Sequence, residues 1–194
     1  MELKQILSGT ATILTFIGFL PYILGTLRGS IKPHYFSWVI WSIVTIIVFF
    51  AQIQGGGGLG AWPIGISGII TVVVAILAYS RNTEIEITLY DWMFLLLTLS
   101  ALPFWYFTSN PFWAVLLLTT VELLGFGPTL TKAYQRPWEE NVTFFVLFMI
   151  RNALAITALE RFTWTTVMFP AFGAASCLIL ISTILIRRAS LTSS

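Results

Sequence analysis

Long apolar runs dominate the chain, at 6–27, 34–54, 60–80, 89–107, 111–132, 140–160 and 165–187. A bilayer core is spanned by about 20 apolar residues in helical form, so each run predicts one membrane helix. The connections are short, and consecutive helices are therefore expected to be antiparallel neighbours. Gly55-Gly56-Gly57-Gly58 reads as a conformationally permissive loop between helices two and three. Pro33 and Pro137 are expected where helices two and six begin, positions at which a missing N–H costs nothing. Glu139 and Glu140 then fall in the first turn of helix six and Asp91 in that of helix four, where the helix dipole favours negative charge. The first run follows Lys4 but exceeds 20 residues with no small-residue cleavage site after it, so it reads as a mature helix rather than a signal peptide. The stretch 189–194 reads as a short polar tail without regular structure.

Inside these runs one motif recurs. Gly18-Phe19-Leu20-Pro21 returns 107 residues later as Gly125-Phe126-Gly127-Pro128, each followed by a short basic connection with Arg28 and Lys32 or Lys132 and Arg136. At the same offset Pro63 matches Pro170 and Arg81 matches Arg188, without a gap. Helices one to three and five to seven are therefore expected to be two copies of one unit, with helix four as linker. A single linking span gives both copies the same orientation, a parallel repeat about an axis along the membrane normal. The organisation expected is 1–82 for the first unit, 83–108 for the linker, 109–188 for the second unit and 189–194 for the tail. The fold class is an all-α integral membrane protein of seven transmembrane helices in a 3+1+3 arrangement. A helix-interior proline removes a backbone hydrogen bond and loosens the helix. Pro21, Pro128, Pro63 and Pro170 are thus the hinge candidates.

Composition makes lipid the solvent. Of 194 residues 57% are hydrophobic and 9% charged, against roughly 25% charged in soluble domains. A net charge of +2 argues against a nucleic-acid partner, and the placement of the charges is more informative. Arg28, Lys32, Arg81, Lys132, Arg136, Arg187 and Arg188 gather on one expected face, while only Lys4 and Arg161 fall on the other. By the positive-inside rule the richer face is cytoplasmic, leaving the N-terminus outside and the C-terminus inside. Trp62, Trp113 and Trp164 at outer helix ends, with Tyr134 and Trp138 at inner ones, match an aromatic belt. One cysteine, Cys177, excludes an intramolecular disulfide, and with one histidine no cysteine–histidine metal site can form. No cofactor is expected.

The segments Leu20-Pro21-Tyr22 through Lys32-Pro33-His34-Tyr35-Phe36-Ser37-Trp38, and Gly127-Pro128-Thr129 through Gln135-Arg136-Pro137, resemble the PQ-loop superfamily of membrane transporters. Its members include the SWEET sugar facilitators, their half-sized bacterial relatives and lysosomal amino-acid exporters. The resemblance covers nearly the whole chain at the level of architecture. It implies a 3+1+3 fold, an outside N-terminus and, for a bacterial-type divergent member, a prokaryotic cytoplasmic membrane. Tyr22 and Thr129 stand where the family's namesake glutamine follows the proline, and helices three and seven lack the asparagines of SWEET-like sugar sites. The resemblance thus implies fold and transport class without naming a solute.

Chemistry within the membrane is sparse. Glu122 and Arg151 are the formal charges near helix centres, and each costs about 2.5–3.5 kcal/mol on insertion scales if unpaired. Equal depth on adjacent helices predicts that they pair, either as a lock between helices five and six or as part of a solute or proton pathway. Their repeat partners are Thr15 and Val44. Asn152 lies about 100° around the helix from Arg151, so only one of the two is expected to point straight at a given surface. Trp38 and Trp41, three apart, share a face on which a flat ligand or lipid could rest, and Tyr22 beside Pro21 is placed to gate the inner mouth. His34 reads as a solvated helix-end residue, with a pH-sensing role as the sharper alternative. No Ser/His/Asp set, metal cluster, paired carboxylate or phosphate-cradling glycine loop points to an enzyme. Two functions follow. One is a facilitator of a small polar solute, a sugar, amino acid or similar, working by alternating access; its partners are that solute, the bilayer and, compatibly, further copies of the chain. The other is a non-transporting receptor or scaffold that binds partners through Arg28, Lys32, Arg136 and Arg188.

Overall fold

A computed structural model describes residues 2–29, 31, 33–81 and 87–192. Lys32, the boundary expected at 82/83 and the last two residues of the expected tail lie outside the described residues. Every regular element described is helical: α1 (Glu2–Leu27), α2 (Tyr35–Gln54), α3 (Trp62–Ser80), α4 (Leu89–Thr108), α5 (Pro111–Gln135), α6 (Val142–Thr157) and α7 (Trp164–Thr192). Two 3-10 turns, Gly58–Ala61 and Pro137–Glu139, precede α3 and α6.

The helix starts follow local chemistry. His34 caps α2 through its Nδ1, which accepts from Ser37 N, matching its reading as a helix-end residue. Thr88 and Asp91 form a reciprocal capping box at α4, the Asp91 carboxylate accepting from Thr88 N and the Thr88 hydroxyl from Asp91 N. Asn110 and Asn141 cap α5 and α6 by accepting from Phe112 N and Phe144 N. Pro137 opens a 3-10 turn and α6 begins only at Val142, so Glu139 and Glu140 precede the helix instead of occupying its first turn. The polar tail is also revised: α7 continues to Thr192, because nothing between Ala189 and Thr192 breaks a helix.

Five helical segments are long and apolar enough to cross a membrane, α1, α2, α5, α7 and the continuous span Gly58–Ser80. α6 is apolar but has 16 residues, about 24 Å of helix against a core of about 30 Å. The 20 residues of α4 include Tyr90, Asp91, Trp92, Pro103, Trp105 and Tyr106, which dilute its leucine-rich centre. These compositions place an integral membrane protein in a lipid environment.

Packing does not follow chain order. α3 packs against both α1 and α2, and α7 against both α5 and α6. Between these groups α1 meets α6 and α2 meets α5, closing a ring in the order α1, α6, α7, α5, α2, α3. α4 lies outside the ring against α5 and α2. Helices five and six were expected to be direct neighbours. Instead α7 lies between them, because two antiparallel helices joined by a short loop can each pack on a third.

The two ends of the ring are tied differently. At one, Lys4 Nζ donates to Leu159 O (2.6 Å), Ser8 Oγ to Leu59 O (2.6 Å) and Glu160 N to Gly57 O (3.1 Å). Here Gly56 and Gly58 take positive φ of 81° and 55°, conformations that glycine adopts without steric cost. Gly60 approaches so closely that a Cβ would stand 2.6 Å from Leu159 N and 2.7 Å from Ala155 O. Both are backbone atoms and cannot rotate away. Gly60→Ala is therefore expected to cost about 2 kcal/mol of overpacking, read as a fall of about 5 °C in apparent melting temperature. At the opposite end Arg188 donates to Pro137 O and Glu140 O, Arg187 to Tyr134 O, and Lys132 pairs with Glu140 at 2.9 Å.

Candidate functional site

The ring encloses a polar layer centred on Arg151, which is 4% exposed. It lies 6 residues from the Thr157 end of α6 and 9 from Val142, nearer the face that carries Lys4. Its Nε donates to Thr15 Oγ1 (3.1 Å) on α1 and one Nη to Asn152 Oδ1 (2.7 Å). The other Nη donates to Pro63 O (2.6 Å) and Ser67 Oγ (2.7 Å) on α3. Four neutral oxygens from three helices thus surround a planar five-donor cation, and the Phe148 ring lies 5.7 Å from the guanidinium carbon.

Each acceptor is held in place. Thr15 is fully buried and donates its own proton to Ala11 O, leaving its lone pairs for Arg151. Pro63 stands in the first turn of α3, so no helical hydrogen bond is lost there and its carbonyl faces the guanidinium. That placement removes Pro63 from the helix-interior hinges. Pro21 and Pro170 do lie inside α1 and α7, and Pro128 falls within the span of α5. Asn152 is buried together with Arg151 and accepts one of its hydrogen bonds, although the two lie about 100° apart around the helix. The arginine's long side chain lets its head group reach back to its neighbour's amide.

Glu122 does not join this layer. Among the described residues the ion pair present is Lys132–Glu140, so the expected Glu122–Arg151 salt bridge is not formed. The physical reason is the insertion of α7: α5 and α6 are not packed together, and Arg151 reaches away from α5 toward α1 and α3. Glu122 remains within electrostatic reach of Arg151 on α6 and of Cys177 on α7. Its side chain is partly buried and has no hydrogen-bond partner among the described residues. Gly173, one turn before Cys177 on α7, leaves room for the Asn152 amide: a Cβ there would stand 3.1 Å from Nδ2.

The aromatic candidates assemble away from the guanidinium. Trp38 is buried and donates from Nε1 to Tyr22 OH (3.2 Å), with ring centroids 4.8 Å apart. Phe19 meets Trp38 edge-on at 6.2 Å and Phe148 at 5.3 Å, linking this cluster to the arginine layer. Trp41 is 42% exposed, its ring perpendicular to that of Trp38. The two tryptophans therefore share an edge of α2 without forming one flat platform.

Two polar contributors escaped the sequence reading. Ser67 belongs to a stripe of Pro63, Ser67 and Thr71 at four-residue spacing, a signal that was available on α3. Gln52 is fully buried and donates Nε2 to Thr166 O (2.7 Å) between α2 and α7, while its Oε1 has no partner. No group of three or more potential metal ligands occurs among the described residues. No protein-family model, curated protein or solved structure matches the chain.

Proposed function

We propose that this chain is a membrane transporter for a small polar solute, working by alternating access between two parallel three-helix units, α1–α3 and α5–α7, joined by α4. The observation that carries this reading is an uncommitted carboxylate, Glu122, beside a buried polar layer where the two units meet. A polar group in a membrane interior is costly unless it is paired or has work to do. The packing order supports the repeat, since the third helix of each unit separates the first from the second, and α1–α6 is mirrored by α5–α2. In this reading all seven helices cross the bilayer, α6 shielded by α1 and α7, and the arginine-rich end is cytoplasmic. Pro21 and Pro128 serve as the inner hinges, with Pro170 in place of the expected Pro63–Pro170 pair on the outer side.

The test is flux into proteoliposomes across a panel of sugars, amino acids and other small polar solutes. One class should move, and Pro128→Ala should slow it severalfold by stiffening α5. No flux for any solute, together with a stoichiometric protein partner on purification, would instead establish the receptor reading. That reading relies on the basic rim, where Arg188 already spends its donors on Pro137 O and Glu140 O.

A further inference from the structure

We propose that the groove between α5 and α7 at the Arg187 end holds one anionic phospholipid, its phosphate on Arg187 and an acyl chain along the groove. The groove has a volume of about 340 Å³ and is lined by Leu130, Thr131, Tyr134 and Thr183. Both threonine hydroxyls are already spent, Thr131 on Gly127 O (3.1 Å) and Thr183 on Ile179 O (2.8 Å). They therefore present methyl groups rather than free donors, a lining suited to hydrocarbon. Toward the membrane interior the α7 wall continues through Ile179, which is 55% exposed.

The mouth of the groove is cationic. Arg187 follows Thr183 by one helical turn and so lies above it on the same face of α7. Its guanidinium stacks 4.2 Å from the Tyr134 ring centroid while Nε donates to Tyr134 O (3.1 Å). The stack fixes the plane of the fork, and both terminal nitrogens remain without an acceptor among the described residues. A guanidinium with two outward donors matches a phosphodiester in geometry and charge. Nearby cations are already engaged: Lys132 is paired with Glu140, and Arg188 donates to two carbonyls. Tyr134 supplies an amphipathic ring at the level where membrane proteins concentrate them. The assignment depends only on the protein lying in a bilayer and is independent of the transport reading.

Native mass spectrometry of the protein extracted from vesicles of equal phosphatidylglycerol and phosphatidylcholine tests it. One phosphatidylglycerol per chain should be retained in preference to phosphatidylcholine. Arg187→Gln should lower that preference about fivefold, the effect of one interfacial cation on an anionic lipid. Thr183→Trp, which fills the groove and keeps the charge, should lower it comparably, and Arg28→Gln on the same rim should leave it unchanged. Equal retention of the two lipids overturns the proposal. So does an equal loss in Arg28→Gln, which would mean diffuse rim charge, or full displacement by soluble glycerophosphate, which would mean that the groove is not used. Retention undiminished in Thr183→Trp would overturn it as well, whatever the folding of the Arg187 variant.

Discussion

Arg151→Met should lower the apparent melting temperature by about 10 °C, the largest stability effect expected from any single side chain here. The guanidinium donates four hydrogen bonds to Thr15, Asn152, Pro63 and Ser67, joining α1, α3 and α6. Measured membrane hydrogen bonds average about 0.6 kcal/mol each, while breaking a buried charged network costs roughly 3–5 kcal/mol. A loss of about 3 kcal/mol lies between the two and corresponds to about 10 °C for a chain of this size. Methionine fills the volume and restores no donor, so the four oxygens are left facing each other. Arg151→Lys should recover part of the loss, because an ammonium is a compact donor that cannot span acceptors on both α1 and α3. Thermal unfolding in detergent, followed by tryptophan fluorescence, measures this directly. Glu122→Gln should shift the transition by less than about 2 °C, and the double variant should show little coupling. Equal destabilisation by the two single changes, with strong coupling, would mean that Arg151 and Glu122 act as a salt bridge after all.

Helix content was legible in the sequence because lipid demands long apolar runs, and each run became a helix within a few residues of its expected ends. Two helix starts were partly legible, with Asp91 expected in the first turn of helix four and His34 at the end of helix two, but the caps Thr88, Asn110 and Asn141 were not read. Side-to-side arrangement was not, because hydropathy gives the depth of a residue and says nothing of its azimuth. Equal depth on consecutive helices made Glu122 and Arg151 look like partners, whereas packing placed α7 between their helices. The Arg151 acceptors were half visible. Thr15 appeared as the repeat partner of Glu122, but the carbonyl of Pro63 is backbone and leaves no mark in a sequence.

The proposed repeat gives the missing salt bridge a simple explanation. If α1 corresponds to α5 and α2 to α6, the contact of α1 with α6 has its counterpart in α5 with α2. Arg151 therefore meets Thr15, the equivalent of Glu122, across the unit boundary. The counterpart of that pair is Glu122 with Val44, and Val44 is a buried apolar residue packed in one core cluster with Leu118 and Val121 of α5. One boundary thus carries a satisfied cation and the other is lined by aliphatic residues, while Glu122 has no hydrogen-bond partner among the described residues. In the proposed transport reading, the first boundary would be the fixed side of the pathway, and Glu122 would remain available to a solute.

Glu122→Gln is accordingly expected to lower solute flux at subsaturating concentration by about tenfold to a hundredfold while leaving the fold intact. The range follows from losing one charge-assisted hydrogen bond, about 1.5–3 kcal/mol, in a variant of nearly unchanged volume. Glu122→Asp keeps the charge but withdraws it by one methylene, and should retain an intermediate rate. Flux into proteoliposomes at several solute concentrations separates two outcomes. A rise in half-saturation with unchanged maximal rate would mean that the carboxylate binds solute in its resting state. A fall in maximal rate alone would mean that it acts in the step that exchanges access between the faces. Flux equal to wild type in Glu122→Gln would remove the carboxylate from the pathway, and with it the observation on which the transport reading rests. The stability measurement is needed beside it, since only a folded, inactive variant separates a working carboxylate from a structural one.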